Sequence, residues 1–84
     1  MSARRPTPGG LGRLAQWRDG VVSFFDGERG LGEIEEAGGE RLGFHCVAIT
    51  DGTRQIAPGT PVRYRAGLGP TGVLEARAVT KMAR

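Results

Sequence analysis

The sequence has few of the residues that build metal sites, disulfides and membrane spans. It contains one cysteine and one histidine, which can form neither an internal disulfide nor a complete zinc site. The longest apolar run, at residues 46–49, is far too short to cross a bilayer. No apolar segment follows the N-terminal arginines, which argues against a secretory signal. We therefore expect a cytoplasmic protein without metal, cofactor or membrane contact.

Patterns that indicate catalysis are also missing. The sequence shows no acid–base pair of carboxylates, no nucleophile with its base and no Walker loop. His45 and Cys46 are neighbours, and neighbours in a strand point to opposite faces, so they do not form a dyad. Residues 67–72 fit G-x-G-x-x-G, but Pro70 interrupts the loop, which in a dinucleotide site opens a long helix. We interpret this segment as a turn and expect no enzymatic activity.

Apolar residues are scarce at the start of the chain. Among residues 1–18, Leu11 and Leu14 are the only members of the set Val, Ile, Leu and Phe, and arginine, proline and glycine dominate. Such a segment has little to bury, so residues 1–18 are predicted to be a flexible basic arm and residues 19–84 a folded domain. Residues 14–17 could lead into that domain as a short strand or a turn. Trp17, the one tryptophan, is expected to pack on an edge of the domain.

Charge is distributed in three blocks. The net charge is +3, and eleven of the twelve basic residues are arginine. Residues 1–18 carry +4, residues 19–40 carry −6 and residues 41–84 carry +5. The basic balance favours a nucleic-acid partner. The acidic block between the basic ones is compatible with a solvated surface or with a basic protein partner.

The domain consists of short apolar runs separated by Gly, Asp and Pro. Strands are predicted at residues 21–25, 31–36, 41–46, 62–66 and 73–80. The last segment also has helical propensity, and we favour a strand because it is short and follows four others. Five short strands at this spacing predict an all-β domain closed into a barrel. Arg63 and Arg65 share the outer face of the fourth strand, as a solvated face or as a secondary phosphate track.

Five segments together resemble the cold-shock domain family. They are residues 20–26, 29–34, 42–49, 55–64 and 78–81, in the family's order and spacing. The resemblance spans residues 20–81. It implies a five-stranded antiparallel oligonucleotide-binding (OB) barrel that binds single-stranded RNA or DNA. In such domains bases stack on aromatic rings of the first three strands, and phosphates run near basic side chains.

The resemblance assigns candidate binding residues one position at a time. Residues 29–34 match the family motif Lys-Gly-Phe-Gly-Phe-Ile, with Arg29 at the basic position. Residues 42–46 match Val-Phe-Val-His-Phe and keep the histidine, while Phe44 stands at an inward position. The resulting candidate nucleic-acid-binding residues are Phe24, Phe25, Arg29, His45 and Arg54. Phe24 and Phe25 alternate along one strand, and we expect Phe25 to be the less exposed of the two.

Five positions lack the rings that the family displays. They are Leu31, Glu33, Gly43, Cys46 and Thr53. A base–aromatic stack contributes about 1–3 kcal/mol, so the loss could reach ~5–15 kcal/mol as an upper bound.

Two hypotheses follow from these substitutions. The first is weakened single-stranded nucleic-acid binding, with the role in RNA chaperoning or gene regulation that the resemblance implies. The second is a barrel that has lost this activity and binds a basic protein through Glu33, Glu35 and Glu36 of the second strand.

Overall fold

The computed structural model describes residues 16–82 as an all-β barrel. Residues 1–15 of the expected arm lie outside the described residues. The strands are β1 (Arg18–Asp26), β2 (Leu31–Glu36), β3 (Arg41–His45), β4 (Pro61–Leu68) and β5 (Leu74–Lys81), with a short 3-10 helix at Cys46–Ala48. Their order around the barrel is β1-β2-β3-β5-β4. This arrangement confirms the predicted fold class. Over residues 16–82, no helix is long and apolar enough to cross a membrane.

Tight turns join the first three strands. The Asp26 side chain accepts the N–H groups of Glu28 and Arg29, at 3.0 and 3.2 Å, which is an Asx turn. Gly30 closes this turn with φ +69°, a conformation that side chains beyond glycine rarely adopt. The turn between β2 and β3 likewise uses Gly39 at φ +96°. The Gly-rich spacing of the sequence therefore sets the two hairpins.

The barrel closes through β4 and β5. β4 pairs antiparallel with both β1 and β5. β3 meets β5 in parallel at Gly43 and Glu75, and Ile49 and Val79 continue this seam. The other four pairings are antiparallel. Bulges between Val22 and Phe24 in β1 and between Arg77 and Thr80 in β5 increase the bending that closure requires.

The interior is filled by alternate residues of the strands and two loop isoleucines. Each of these side chains is at most 7% exposed, and fully burying an aliphatic or aromatic side chain contributes about 1.5–3 kcal/mol. The cluster comprises Val22, Ile34, Phe44, Ile49, Ile56, Val62, Tyr64, Ala76 and Val79. Phe44 is 2% exposed, which confirms its expected inward position. Phe25 is half-buried and packs against the cluster.

Some element boundaries differ from the sequence-based expectation. β1 begins at Arg18, one residue before the expected start of the domain. β3 ends at His45, because Cys46 turns away: its N–H donates to the Gly30 carbonyl at 2.7 Å and its own carbonyl accepts from Ile49. β5 is a strand, as predicted, since burial of Ala76 and Val79 outweighs its helical propensity. Residues 69–73 form the turn that connects β4 and β5.

Candidate nucleic-acid interface

The outward residues of β1, β2 and β3, here called the front face, include two of the candidate residues. Phe24 pairs with Glu33, which pairs in turn with Gly43. The next outward pair along β2 and β3 is Leu31 and His45. Phe24 and His45 therefore share the front face, two strands apart, or roughly 10 Å across the sheet.

Phe24 presents an accessible ring at one side of the front face. Its side chain is 54% exposed. It lines an open groove of about 740 Å³ between the β1–β2 turn and residues 55–57 of the long loop. Lys81 and Glu28 line the same groove. The groove thus combines one exposed ring with one ammonium group and the carboxylates of Asp26 and Glu28, and a single base could stack there.

Phe25 also lines this groove but belongs to the core. Its ring stacks on Phe44 with centroids 6.0 Å apart and planes 14° apart. The prediction that Phe25 is the less exposed of the two neighbouring rings is confirmed. The structure therefore leaves Phe24 as the ring of β1 that projects from the barrel surface.

His45 is exposed and lies among apolar neighbours. With Leu31, Val73 and Leu74 it lines a shallow groove of about 290 Å³. Glu75 closes one side of that groove. Leu31 stands where the resemblance implies a ring and is 38% exposed. The surface beside His45 is therefore aliphatic, and it lacks the aromatic faces on which bases stack.

Both candidate arginines are exposed, but they lie in different turns. The Arg29 side chain is 77% exposed and sits 3.8 Å from the Asp26 carboxylate. Arg54 has φ 60°, an unusual value for a residue with a side chain. Neither guanidinium lies on the strands of the front face itself, so each could contact a phosphate only at its margin.

A network of polar contacts holds the loop that carries Arg54. The Asp51 carboxylate lies 2.9 Å from Lys81 Nζ and accepts the N–H and hydroxyl of Thr53. Lys81 Nζ also donates to the Thr53 hydroxyl at 3.2 Å. The hydrogen bonds from Lys81 and Thr53 lower the pKa of Asp51 to about 2. This clamp ties the β3–β4 loop to the end of β5.

Glu33 places a carboxylate at the centre of the front face. Its Oε1 accepts from the Ser23 hydroxyl at 2.9 Å and lies 3.8 Å from Arg41. Glu35 lies on the same side of β2, two residues along, and pairs with Arg41 in the register. The front face therefore repels phosphate at the position where the family presents a ring.

Glu36 does not belong to the front face. It turns to the other side of β2 and forms an ion pair with Arg18 at 3.1 Å. Desolvation opposes its ionisation, but the nearby Tyr64 hydroxyl and the Arg18 guanidinium outweigh it and lower the pKa of Glu36. Burial and the Glu36 carboxylate raise the pKa of Tyr64. Of the three acids named for a basic partner, Glu33 and Glu35 thus share the front face, and Glu36 does not.

The opposite side of the barrel carries neighbouring basic residues that the sequence pattern did not place together. Arg65 of β4 pairs with Arg77 of β5. The Arg65 guanidinium lies over the Trp17 ring, with Cζ 4.4 Å from the centroid. Alternation predicted that Arg65 faces outward, but the register that brings Arg77 and Trp17 to it is a tertiary feature. Within residues 16–82, no three His, Cys, Asp or Glu side chains come together as metal ligands would.

Comparison with known proteins supports the fold alone. No protein-family model and no curated protein matches the sequence. Solved structures do match, among them one described as drosophila Unr CSD456, with a TM-score of 0.67 and 19% sequence identity. The match covers 81% of this chain and 27% of that one, so this chain spans about a quarter of its neighbour's length. The class that fold and neighbour define is a cold-shock-like OB barrel.

Proposed function

We propose that this protein binds single-stranded nucleic acid through a reduced version of the cold-shock surface. The observation that carries the proposal is the exposed Phe24 ring on β1 of a closed OB barrel, beside the groove that Lys81 also lines. The cold-shock-like neighbour supports the ligand class by analogy of fold. RNA chaperoning or gene regulation in the cytoplasm is the role that such binding would serve. The protein acts by binding, without catalysis.

The binding mechanism is stacking, assisted by charge. A base that stacks on Phe24 gains about 1–3 kcal/mol, and the imidazole of His45 offers a second, smaller surface. Arg29 and Arg54 attract phosphates from the margins of the front face. Glu33 opposes them, because its carboxylate lies directly beside Phe24. The expected result is a binder that is weaker than a cold-shock domain with a full set of rings.

Fluorescence anisotropy with labelled oligo-dT and oligo-U tests this proposal. Changing Phe24 and His45 together to alanine should weaken binding at physiological salt by about 5- to 100-fold, because stacking is lost. The double variant R29Q/R54Q removes two charges and no ring. It should reduce the slope of log K against log salt by about 1.4. All four positions are exposed, so unchanged melting temperatures control for folding.

Other outcomes would contradict stacking on the front face. Binding that exists only at low salt and is indifferent to the F24A/H45A change would show simple charge attraction. Absence of binding to either oligonucleotide at low salt would overturn the proposed function.

A second candidate function has its own observation in its favour. Glu33 and Glu35 project from the same side of β2, and the exposed Leu31 lies on that side. This acidic and apolar surface would suit a basic protein segment that carries an aliphatic residue. A lysine- and leucine-containing peptide should then bind the wild type and lose most of its affinity for E33Q/E35Q. Equal binding to both proteins would exclude this surface.

A further inference from the structure

The surface opposite the front face combines an exposed indole with two arginines that form no ion pair within residues 16–82. Three neighbouring residues, here called the rear row, form this surface. They are Trp17, which directly precedes β1, Arg65 of β4 and Arg77 of β5. Trp17 is 46% exposed, and both arginines are exposed. Arg18 pairs with Tyr64, which places Trp17 one position earlier, beside Arg65. The rear row is therefore a consequence of strand register.

The two arginines of the rear row are not neutralised within the barrel. Arg65 and Arg77 are directly paired across β4 and β5, and their side chains diverge: Arg65 lies over Trp17, whereas Arg77 runs across Gly67. Arg77 donates to the Leu68 carbonyl at 2.8 Å. Among residues 16–82, neither guanidinium lies within 4.0 Å of a carboxylate. A bound polyanion would therefore meet two positive charges that no carboxylate of the described residues contacts.

The next row of the same surface differs in its charge balance. Arg63 of β4 contacts Asp19 of β1 at 3.3 Å, so its charge is largely compensated. Its partner on β5 is Thr80, which is uncharged. The uncompensated positive charge is thus concentrated in the rear row. The front face shows the opposite balance, because Glu33 and Glu35 occupy its strands.

We propose that the rear row is a second nucleic-acid-binding site, which takes single-stranded RNA or DNA. A base stacks on the Trp17–Arg65 pair, since both an indole and a stacked guanidinium plane accept a base. Phosphates on either side of that base contact Arg65 and Arg77. The inference rests on the proposed function for its class of ligand, and it places the phosphate contacts on the side of the barrel opposite Phe24.

The single tryptophan provides a local signal for this site. Trp17 is the one tryptophan of the chain, so its intrinsic fluorescence reports on the rear row alone. The full chain is titrated with oligo-dT of about 12 nucleotides, within the 4–16 that one OB barrel covers. Anisotropy of the labelled oligonucleotide measures total binding in parallel. We expect Trp17 fluorescence to be quenched with the same midpoint as the anisotropy change, in the wild type and in F24A/H45A.

Variants that each remove two positive charges distinguish binding at the rear row from general electrostatic attraction. R65Q/R77Q should abolish the quenching, weaken binding at least tenfold and reduce the salt slope by about 1.4. R41Q/R63Q removes the same charge from two exposed arginines that pair with Glu33 and Asp19, and it should retain the quenching. W17F, which keeps a ring, should bind more tightly than W17A. Greater weakening by W17A than by W17F also distinguishes stacking from a structural role of the side chain.

The outcomes distinguish this inference from the function on which it rests. Anisotropy binding without a change in Trp17 fluorescence would overturn the rear-row site and leave the proposed function standing. Equal loss of affinity in R65Q/R77Q and R41Q/R63Q would also overturn it. No anisotropy change at any salt concentration would overturn the proposed function and the rear-row site together.

Discussion

At the scale of single residues, two glycines of the front strands have opposite surroundings. Gly32 points inward, and a Cβ there would come within 2.5 Å of the Phe44 ring and 2.9 Å of the Phe24 carbonyl. Gly43 is its neighbour by one row, points outward, and has only the Gly32 carbonyl near it, at 3.7 Å. Glycine at position 32 of β2 thus leaves room for the Phe44 ring in the core. Glycine at position 43 of β3 leaves a gap on the barrel surface.

This difference predicts unequal effects of alanine. Gly32→Ala should lower the free energy of unfolding by about 1–3 kcal/mol, because Phe44 and the backbone must shift to accommodate the methyl group. Gly43→Ala should change it by less than about 1 kcal/mol, and toward higher stability, since glycine in a strand costs conformational entropy. Urea denaturation measures both. Equal destabilisation by the two substitutions would contradict the packing described for Gly32.

At the scale of secondary-structure elements, β2 explains the weakness expected of the front face. The strand alternates between Ile34 in the core and Glu33 and Glu35 outside. Two of its three outward positions therefore carry charge of the same sign as the proposed nucleic-acid ligand. The β1–β2 register places Glu33 beside Phe24, so a single residue both removes a ring and adds repulsion.

Restoring a ring on β2 should strengthen nucleic-acid binding. Glu33→Phe would place a second ring beside Phe24, and one additional stack should tighten oligo-dT binding by about 5- to 100-fold. Glu33→Gln removes the charge without adding a ring, so it should yield a smaller gain. Anisotropy titrations of the three proteins provide the comparison. If E33F binds no better than E33Q, bases do not stack on this part of the front face.

At the scale of the whole molecule, the acidic and basic blocks of the sequence contribute charged residues to different surfaces of the barrel. The acidic block at residues 19–40 contributes Glu33 and Glu35 to the front face. The basic block at residues 41–84 contributes Arg65 and Arg77 to the rear row. Closure of β4 onto β1 and β5 holds the two surfaces apart. The resulting field should orient an approaching polyanion toward the rear row.

The clamp between Asp51 and Lys81 should make the stability of the barrel depend on pH. The pKa of Asp51 is lowered from 3.8 to about 2 in the folded protein, so the folded state favours the carboxylate. Its contribution is present above the unfolded pKa and is lost as the pH falls from about 3.8 toward 2. Asp51→Asn should therefore reduce the melting temperature at neutral pH, with a difference from wild type that disappears toward pH 2.

A double-variant cycle tests the partner of Asp51. In a K81Q background, Asp51→Asn should reduce the melting temperature less than it does in the wild type. Thermal melts followed by circular dichroism across this pH range give both comparisons. A deficit of the D51N variant that stays constant down to pH 2 would show that ionisation of Asp51 does not stabilise the fold.

The sequence by itself determined the number, order and approximate limits of the strands, because alternation and Gly-rich turns are local patterns. It also indicated that Phe24 projects, that Phe25 and Phe44 pack inside, and that the acidic and basic residues form separate blocks. The alternation predicts that β3 continues to Cys46, but the strand ends one residue earlier, since Cys46 bonds to Gly30 in the β1–β2 turn.

Only the tertiary structure decided which side chains meet. Register between paired strands brings Arg77 and Trp17 to Arg65, and it places Glu33 beside Phe24. The barrel also turns Glu36 toward Arg18, and the path of the β3–β4 loop brings Asp51 to Lys81. Local patterns cannot specify these neighbours, because a one-residue shift in pairing would send each side chain to the other face of the sheet.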